Sequence, residues 1–286
     1  MLPWQGSMRR LVNSVAGLSL ALGCRAAPVD QQPSALPEPA TPQASTAPSA
    51  AAFLDAGPSL APLEGTLVSL PVAGFRDAIV SVPPGATEAR PVVVALHGNF
   101  DRPEWQCEVM REITDAHAFV LCPRGIRRTD VPKSWDRWEY GALQTVRQEL
   151  ASGLAALGAR FAGYVAEGSL VFTGFSLGAI LGRPIVRDDP ARFPRVVFTE
   201  GGSDGWNFQR FKEHGGLRII FACAQAGCPQ NRRAIARQAE RFGVEVRVAD
   251  GGNVGHTYDG PVARAIKAEW PWLVEGDSRW TRQGAR

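Results

Sequence analysis

The chain has 286 residues, 45% of them hydrophobic and 21% charged, and its 31 basic and 28 acidic side chains leave a formal net charge of +3. That length and apolar share can fill a proper core, which excludes a wholly disordered, collagen-like or disulfide-only scaffold. A charge so nearly balanced advertises no nucleic-acid-binding surface, and no nucleic-acid partner is expected.

In chain order, Arg9 and Arg10 precede a mostly apolar run over residues 11–23. A bilayer-spanning helix needs roughly 20 apolar residues, so the run is too short to cross and has the layout of a secretory signal. It ends in Leu20-Ala21-Leu22-Gly23-Cys24, which resembles the lipobox of bacterial lipoproteins, although that family prefers Leu where this chain has Ala21. The resemblance implies a signal over 1–24, a lipid on Cys24 and an exported protein anchored to a membrane that faces the periplasm or the cell exterior. An ordinary cleaved signal is the plainer alternative, and Met8 offers a second start. Residues 25–63 are rich in Ala, Pro, Ser, Thr and Gln. Such a segment cannot bury enough surface to offset chain entropy, so a disordered, extended tether is expected.

From residue 64 the pattern changes to alternating strands and helices. Two short β-like runs, 66–72 and 78–82, are separated by turn residues and predict an antiparallel hairpin. The continuous β-branched run at 91–96 predicts a strand buried on both faces, and similar runs recur at 118–122, 170–173, 196–199, 217–222 and 244–248. Helical stretches lie at 104–114, 142–165, 177–186, 231–242 and 262–270. The alternation predicts one α/β domain over 64–286, with a mainly parallel sheet and helices on both faces. Sites in such sheets sit at the carboxyl ends of strands. Four cysteines remain beyond Cys24, and in an exported chain their proximity predicts the disulfides Cys107–Cys122 and Cys223–Cys228. Reduced, buried cysteines in a cytosolic protein are the alternative, and no metal-ligand spacing is present.

After the strand at 170–173 comes Gly174-Phe175-Ser176-Leu177-Gly178, the G-x-S-x-G pattern of a nucleophile elbow. The tight strand-to-helix turn leaves no room for side chains two residues either side of the serine, hence the glycines. A second match, Gly201-Gly202-Ser203-Asp204-Gly205, also follows a strand, but it comes late in the strand order and its sequel is a poorer helix start. Ser176 is therefore the candidate nucleophile. A serine hydroxyl needs a base, and the four histidines are His97, His117, His214 and His256. His256 lies in a glycine-bearing loop between the last strand and the last helix, where an imidazole can swing over the sheet edge. It is the candidate base.

On these residues the domain resembles the α/β-hydrolase superfamily, with its Ser–acid–His order, the His97-Gly98 oxyanion loop, the Gly174–Gly178 elbow and the late His256. Within it, the run Leu121-Cys122-Pro123-Arg124-Gly125 followed by Trp135 and Trp138 resembles secreted esterases of the polyhydroxyalkanoate-depolymerase and feruloyl-esterase type. The resemblance implies a carboxylic ester hydrolase whose oxyanion donors are the N–H groups of Asn99 and Leu177. It implies an acyl-enzyme route with no metal or organic cofactor, a small or polymeric ester as substrate, and a monomer. The chain departs from the family at the third triad residue: the loop after the penultimate strand, Gln225-Ala226-Gly227-Cys228-Pro229-Gln230, has no carboxylate. The superfamily's second position for the acid follows the preceding strand, where this chain has Glu200 and Asp204. Asp204, on a glycine-rich loop with more reach, comes first, then Glu200 at the strand end, then Asp250 on the segment of His256. Trp135, Trp138, Tyr140 and Trp206 fall in strand-end loops and either line an acyl or aryl pocket or pack as rim and core. Two rivals remain: a serine peptidase of the same fold, and a tethered binding protein that has kept the fold and lost the activity, which the missing carboxylate favours.

Overall fold

The computed structural model describes residues 61–281. The expected signal, Cys24 and the tether as far as residue 60 lie outside the described residues. The described residues make contacts from their start: the Ala61 carbonyl accepts the Tyr164 hydroxyl at 2.8 Å, and the Leu63 N–H donates to Ala86 O at 3.2 Å.

β1 (Leu67–Leu70) and β2 (Ala78–Ser81) form the expected hairpin, in the register Leu67 with Ser81. Next come β3 (Val92–Leu96), α1 (Pro103–Ile113), β4 (Phe119–Cys122), α2 (Leu143–Arg160), β7 (Val171–Phe175) and α3 (Leu177–Asp188), with a small ribbon of β5 (Ile126–Arg127) and β6 (Trp138–Glu139) between β4 and α2. The chain finishes with β8 (Arg195–Thr199), α4 (Phe208–Glu213), β9 (Arg218–Cys223), α5 (Cys228–Glu240), β10 (Glu245–Asp250) and α6 (Gly260–Val274). Eight strands form one sheet in the order β1-β2-β4-β3-β7-β8-β9-β10. β2 runs antiparallel to both its neighbours, and every pairing from β4 to β10 is parallel.

Strand periodicity explains why the runs at 92–96 and 119–122 are apolar throughout. Side chains alternate between faces, and here both faces are covered. Val92, Val94 and Leu96 of β3 enter the core shared with Val146, Leu150 and Leu157 of α2 and Ile185 of α3. Val93 and Ala95 enter the opposite core, under Met110 and Ile113 of α1 and Ile266 and Leu273 of α6. Both expected disulfides are present: Cys107 of α1 with Cys122 at the end of β4, and Cys223 at the end of β9 with Cys228 at the start of α5.

Several helix boundaries differ from expectation, and one helix is additional. The helix expected over 142–165 stops at Arg160, and Gly163 takes a positive φ of 83° in the turn that follows. The helix expected from 231 begins at Cys228, because Gly227 is left-handed and Pro229 suits a first turn. Helix α4 was not expected. It is one short stretch, held by the Asn207 side chain accepting the Arg210 N–H at 2.9 Å and by burial of Phe208 and Phe211. No helix among the described residues is long and apolar enough to cross a membrane.

Candidate active site

The parallel strands bring five loops together at their carboxyl ends: after β3, β7, β8, β9 and β10. Ser176 occupies the turn between β7 and α3 with φ 49° and ψ −112°, a left-handed backbone that costs a residue with a Cβ on the order of 1–3 kcal/mol. Hydrogen bonds hold it there. Its N–H donates to Thr199 O at 2.9 Å, and its carbonyl accepts the N–H groups of Ala179 and Ile180, both at 3.0 Å. The elbow glycines are sterically required: a Cβ on Gly174 would lie 2.6 Å from the Gly178 carbonyl oxygen, and one on Gly178 would lie 2.2 Å from that of Leu96.

His256 comes over the sheet edge on the loop after β10, as its place in the sequence suggested. Its Nε2 lies 2.9 Å from Ser176 Oγ. Its ring rests 4.9 Å from that of Phe175, centroid to centroid, and is about half exposed. The loop after β9 and the loop bearing His256 are stitched together, since Val254 and Gly255 both donate to Ala224 O, at 2.9 and 3.2 Å, and Ala226 N–H donates to Asn253 Oδ1 at 3.2 Å.

The carboxylate beside His256 is Glu200. One of its oxygens is 3.7 Å from Nδ1, and the other accepts the Ala224 N–H at 2.5 Å. Glu200 itself has a positive φ of 52°, at the point where the chain leaves β8. Asp204, ranked first from the sequence, is not brought to His256 by any contact among the described residues. Arg183 grips the Asp204 backbone carbonyl, and the Asp204 carboxylate accepts the Ser203 hydroxyl at 3.3 Å. Asp204 lines a separate cavity of about 390 Å³ with Ser203 and Trp206. Asp250 is a turn carboxylate that accepts the Gly252 N–H at 3.0 Å and lies 3.8 Å from Arg233. Ser203, the second pattern match, is buried and accepts a hydrogen bond from Arg232, with no histidine beside it among the described residues. His117 faces Arg279 O and His214 faces Arg210 O, both away from the cleft.

The loop after β3 passes over the elbow so closely that a Cβ on Gly98 would be 2.6 Å from the Phe175 ring and 3.5 Å from the Ser176 Cβ. Leu177 is the first residue of α3, so its N–H has no acceptor within the helix. Among the described residues, neither the Leu177 nor the Asn99 N–H donates to another protein group. Two free donors therefore flank the serine, at the positive end of a helix.

A buried polar layer supports this loop, and sequence reasoning missed it. Asp101 accepts from the N–H of Arg102 at 2.8 Å, the N–H of Gly98 at 3.4 Å and the Tyr258 hydroxyl at 3.3 Å. One carboxylate thus ties the Gly98–Asn99 loop to the segment of His256. Burial raises the Asp101 pKa against the pull of these donors, and burial together with the adjacent Asp101 also raises that of Tyr258. The His97 ring is fully buried, lies between the carbonyls of Gly98 (2.7 Å) and Arg124 (3.0 Å), and stacks on Tyr140 at 4.5 Å. Burial lowers its pKa, outweighing the two carbonyls. The Tyr140 hydroxyl donates to Pro123 O at 2.9 Å, and Glu149 accepts the Gly125 N–H at 2.8 Å, so the Pro–Gly segment after β4 braces the same loop from below.

A cleft of about 630 Å³ opens beside His256, between Phe100, Trp105, Val109, Phe175 and Tyr258, with Glu108 and Asp259 at its edge. The expected tryptophans do not line it. Trp138 is buried between the guanidinium groups of Arg124 and Arg127. Trp206 packs on Phe198, Phe208 and Phe211 and donates to Gly202 O at 2.8 Å. Trp135 is exposed and meets the edge of Phe100. Of the aromatics that do line the cleft, Phe175 and Tyr258 neighbour Ser176 and His256 in the chain, and Phe100 and Trp105 come soon after the His97-Gly98 pair, and that proximity was the available signal. Among the described residues, no three His, Cys, Asp or Glu side chains gather as a metal site requires.

No protein-family model and no curated protein matches the chain. Solved structures do resemble it in fold. A carboxylesterase from Bacillus cereus superposes with a TM-score of 0.50 at 16% identity, over 70% of this chain and 95% of that one. Esterase PE8 superposes at 0.50 and 15% identity, over 73% of this chain and all of the other. An uncharacterized protein from Bacillus cereus ATCC 10987 reaches 0.51 at 13% identity, over 66% and 60% of the two chains. Identities this low speak to fold alone. Together with the strand order, they give the domain the α/β-hydrolase fold.

Proposed function

We propose that the protein is a serine hydrolase acting on carboxylic esters, with Ser176 as nucleophile, His256 as base and Glu200 as the charged partner of the base. The observation that carries the reading is the 2.9 Å contact between Ser176 Oγ and His256 Nε2 on a strained elbow. In the proposed cycle His256 takes the hydroxyl proton as Oγ attacks the ester carbonyl. The Asn99 and Leu177 N–H groups receive the oxyanion, an interaction worth a few kcal/mol in the transition state. His256 then passes the proton to the departing alkoxide, leaving an acyl-serine and a free alcohol. Water, deprotonated by the same imidazole, attacks the acyl-serine, and the imidazolium returns that proton to Ser176 Oγ as the acyl–oxygen bond breaks and the acid leaves. Glu200 stabilises the imidazolium and need not itself take a proton.

The esterases among the structural relatives favour esters over other acyl substrates, and the open, aromatic-sided cleft beside His256 suits an uncharged acyl or alcohol group. A carboxylate beside the ring weighs against the reading as an inactive binding protein, whose ground was the lack of one. The test is hydrolysis of short-chain p-nitrophenyl esters by the wild type and by Ser176→Ala. Turnover that disappears in the variant is expected. Turnover that persists, or none in the wild type, would overturn the proposal.

A further inference from the structure

Resting on the hydrolase reading, we propose that Gln225 is a positioning residue for His256, accepting the ring's Nδ1 hydrogen through its amide oxygen. Gln225 thereby takes over the hydrogen-bonding half of the task that a single carboxylate usually performs, and Glu200 keeps the electrostatic half.

The geometry divides the two halves between different side chains. Glu200 is 3.7 Å from Nδ1, too far for a hydrogen bond though close enough to act through charge. The Gln225 amide is in hydrogen-bond contact with the same nitrogen, its Nε2 lying 2.9 Å from Nδ1, and a half-turn of the amide would put Oε1 in that place. A neutral imidazole carries one hydrogen, and the partner of one ring nitrogen decides which nitrogen holds it. If the amide presents its NH₂, Nδ1 must be the acceptor. The ring hydrogen then sits on Nε2 and points at Ser176 Oγ, and the histidine cannot receive the serine proton. If the amide is rotated by half a turn, its oxygen stands in the same place, Nδ1 carries the hydrogen, and Nε2 presents a lone pair to Oγ. The two atoms at the end of a glutamine side chain are interchangeable in shape, so the choice is made by the surroundings. Glu200, which can only accept, stands on the Nδ1 side and selects the second arrangement.

Gln225 is held where this requires. It lies in the loop closed by the Cys223–Cys228 disulfide. On its two sides, Ala224 accepts from Val254 and Gly255, and Ala226 donates to Asn253, which fixes the loop against the segment of His256. The Ala224 N–H also holds Glu200. One stapled loop thus places both partners of the imidazole. It is also the loop in which the sequence has no acid.

The charged and titratable groups that face the imidazole are Glu200, then Asp101, Tyr258 and Asp259 across the cleft and on its own loop, and Glu108 at the cleft edge. Arg232 interacts electrostatically with Asp204 and with Glu200.

The test combines ¹⁵N NMR of the His256 ring with pH–rate profiles for the wild type, Gln225→Ala and Gln225→Glu. In the wild type above the ring pKa, Nδ1 is expected to be protonated and Nε2 bare. Gln225→Ala should mix the two tautomers and lower kcat about 10- to 100-fold with KM little changed, the scale of a misplaced catalytic group. Gln225→Glu should keep the Nδ1–H form and move the acid limb of the profile upward by about one pH unit, because a second carboxylate favours the imidazolium. Nε2 protonated in the wild type would overturn the proposal. So would an Ala variant with unchanged tautomer, kcat and profile. The ring spectrum decides the matter even if the wild type shows no Ser176-dependent turnover, an outcome that would sink the hydrolase reading separately.

Discussion

At the scale of single residues, the proposed nucleophile and base lie together where their places in the sequence suggested, while the carboxylate beside the base is not the one ranked first. Ser176 and His256 could be found because the elbow needs glycines at fixed spacing and because the loop after the last strand has few ways to run. The order of Glu200 and Asp204 depends on something no local pattern encodes. Glu200 adopts a left-handed backbone at φ 52°, with one carboxylate oxygen accepting the Ala224 N–H and the other 3.7 Å from His256 Nδ1, while Arg183 holds the Asp204 carbonyl and the Asp204 carboxylate bonds the adjacent Ser203 hydroxyl. Reach along the chain was the wrong measure. The consequence is a contrast between two variants. Glu200→Gln should lower kcat about 100-fold or more, since loss of the charge opposite the imidazolium removes transition-state stabilisation. Asp204→Asn should leave kcat/KM near the wild-type value. Ester kinetics on the two purified variants check this, and the reverse ranking would return the role to Asp204.

At the scale of elements, the buried strands and the main helices were legible from continuous apolar runs and helical periodicity. The pieces that escaped are short and stabilised by tertiary contacts: the β5–β6 ribbon has two residues a side, and α4 exists because Phe208 and Phe211 bury. The tryptophans misled for a related reason. Trp206 sits in a strand-end loop, yet it turns inward onto Phe198 and Phe211. The two disulfides join elements in different ways and should separate in experiment. Cys107–Cys122 ties α1 to β4 across a sequence separation of 15, so its removal should cost about 3 kcal/mol of stability by loop-closure entropy. For a domain of this size that lowers Tm by roughly 6–12 °C. Cys223–Cys228 closes a separation of only 5 and carries Ala224 and Gln225 beside the imidazole, so its removal should reduce kcat more than Tm. Melting curves and ester kinetics for the two paired Cys→Ser variants test this. Equal effects on both readouts would contradict it.

At the scale of the molecule, the sheet gathers the loops after β3, β7, β8, β9 and β10 at one edge, and the polar layer beneath locks the first to the last. Its cost is a pH-dependent stability. Burial holds the His97 pKa below the ordinary 6.5. The unfolded chain therefore binds a proton at a pH where the folded one does not, so stability is full above 6.5 and is lost as pH falls below it. Asp101 and Glu149 act in the opposite sense. Burial raises their pKa values, so the cost of ionising them in the fold is relieved as pH falls through those raised values. The histidine contribution can be isolated by difference: between pH 7.5 and 5.5, Tm of the wild type should fall more steeply than that of His97→Gln. Parallel slopes would show that His97 titrates in the fold much as it does in the unfolded chain.

The proposed activity requires Ser176 to be an activated nucleophile. The direct measurement is the reaction of the purified protein with a fluorophosphonate probe, followed by mass spectrometry of the modified peptide. One adduct is expected, on Ser176, that is absent from Ser176→Ala and forms much more slowly in His256→Ala. An unmodified wild type, or an adduct on Ser203, would contradict it.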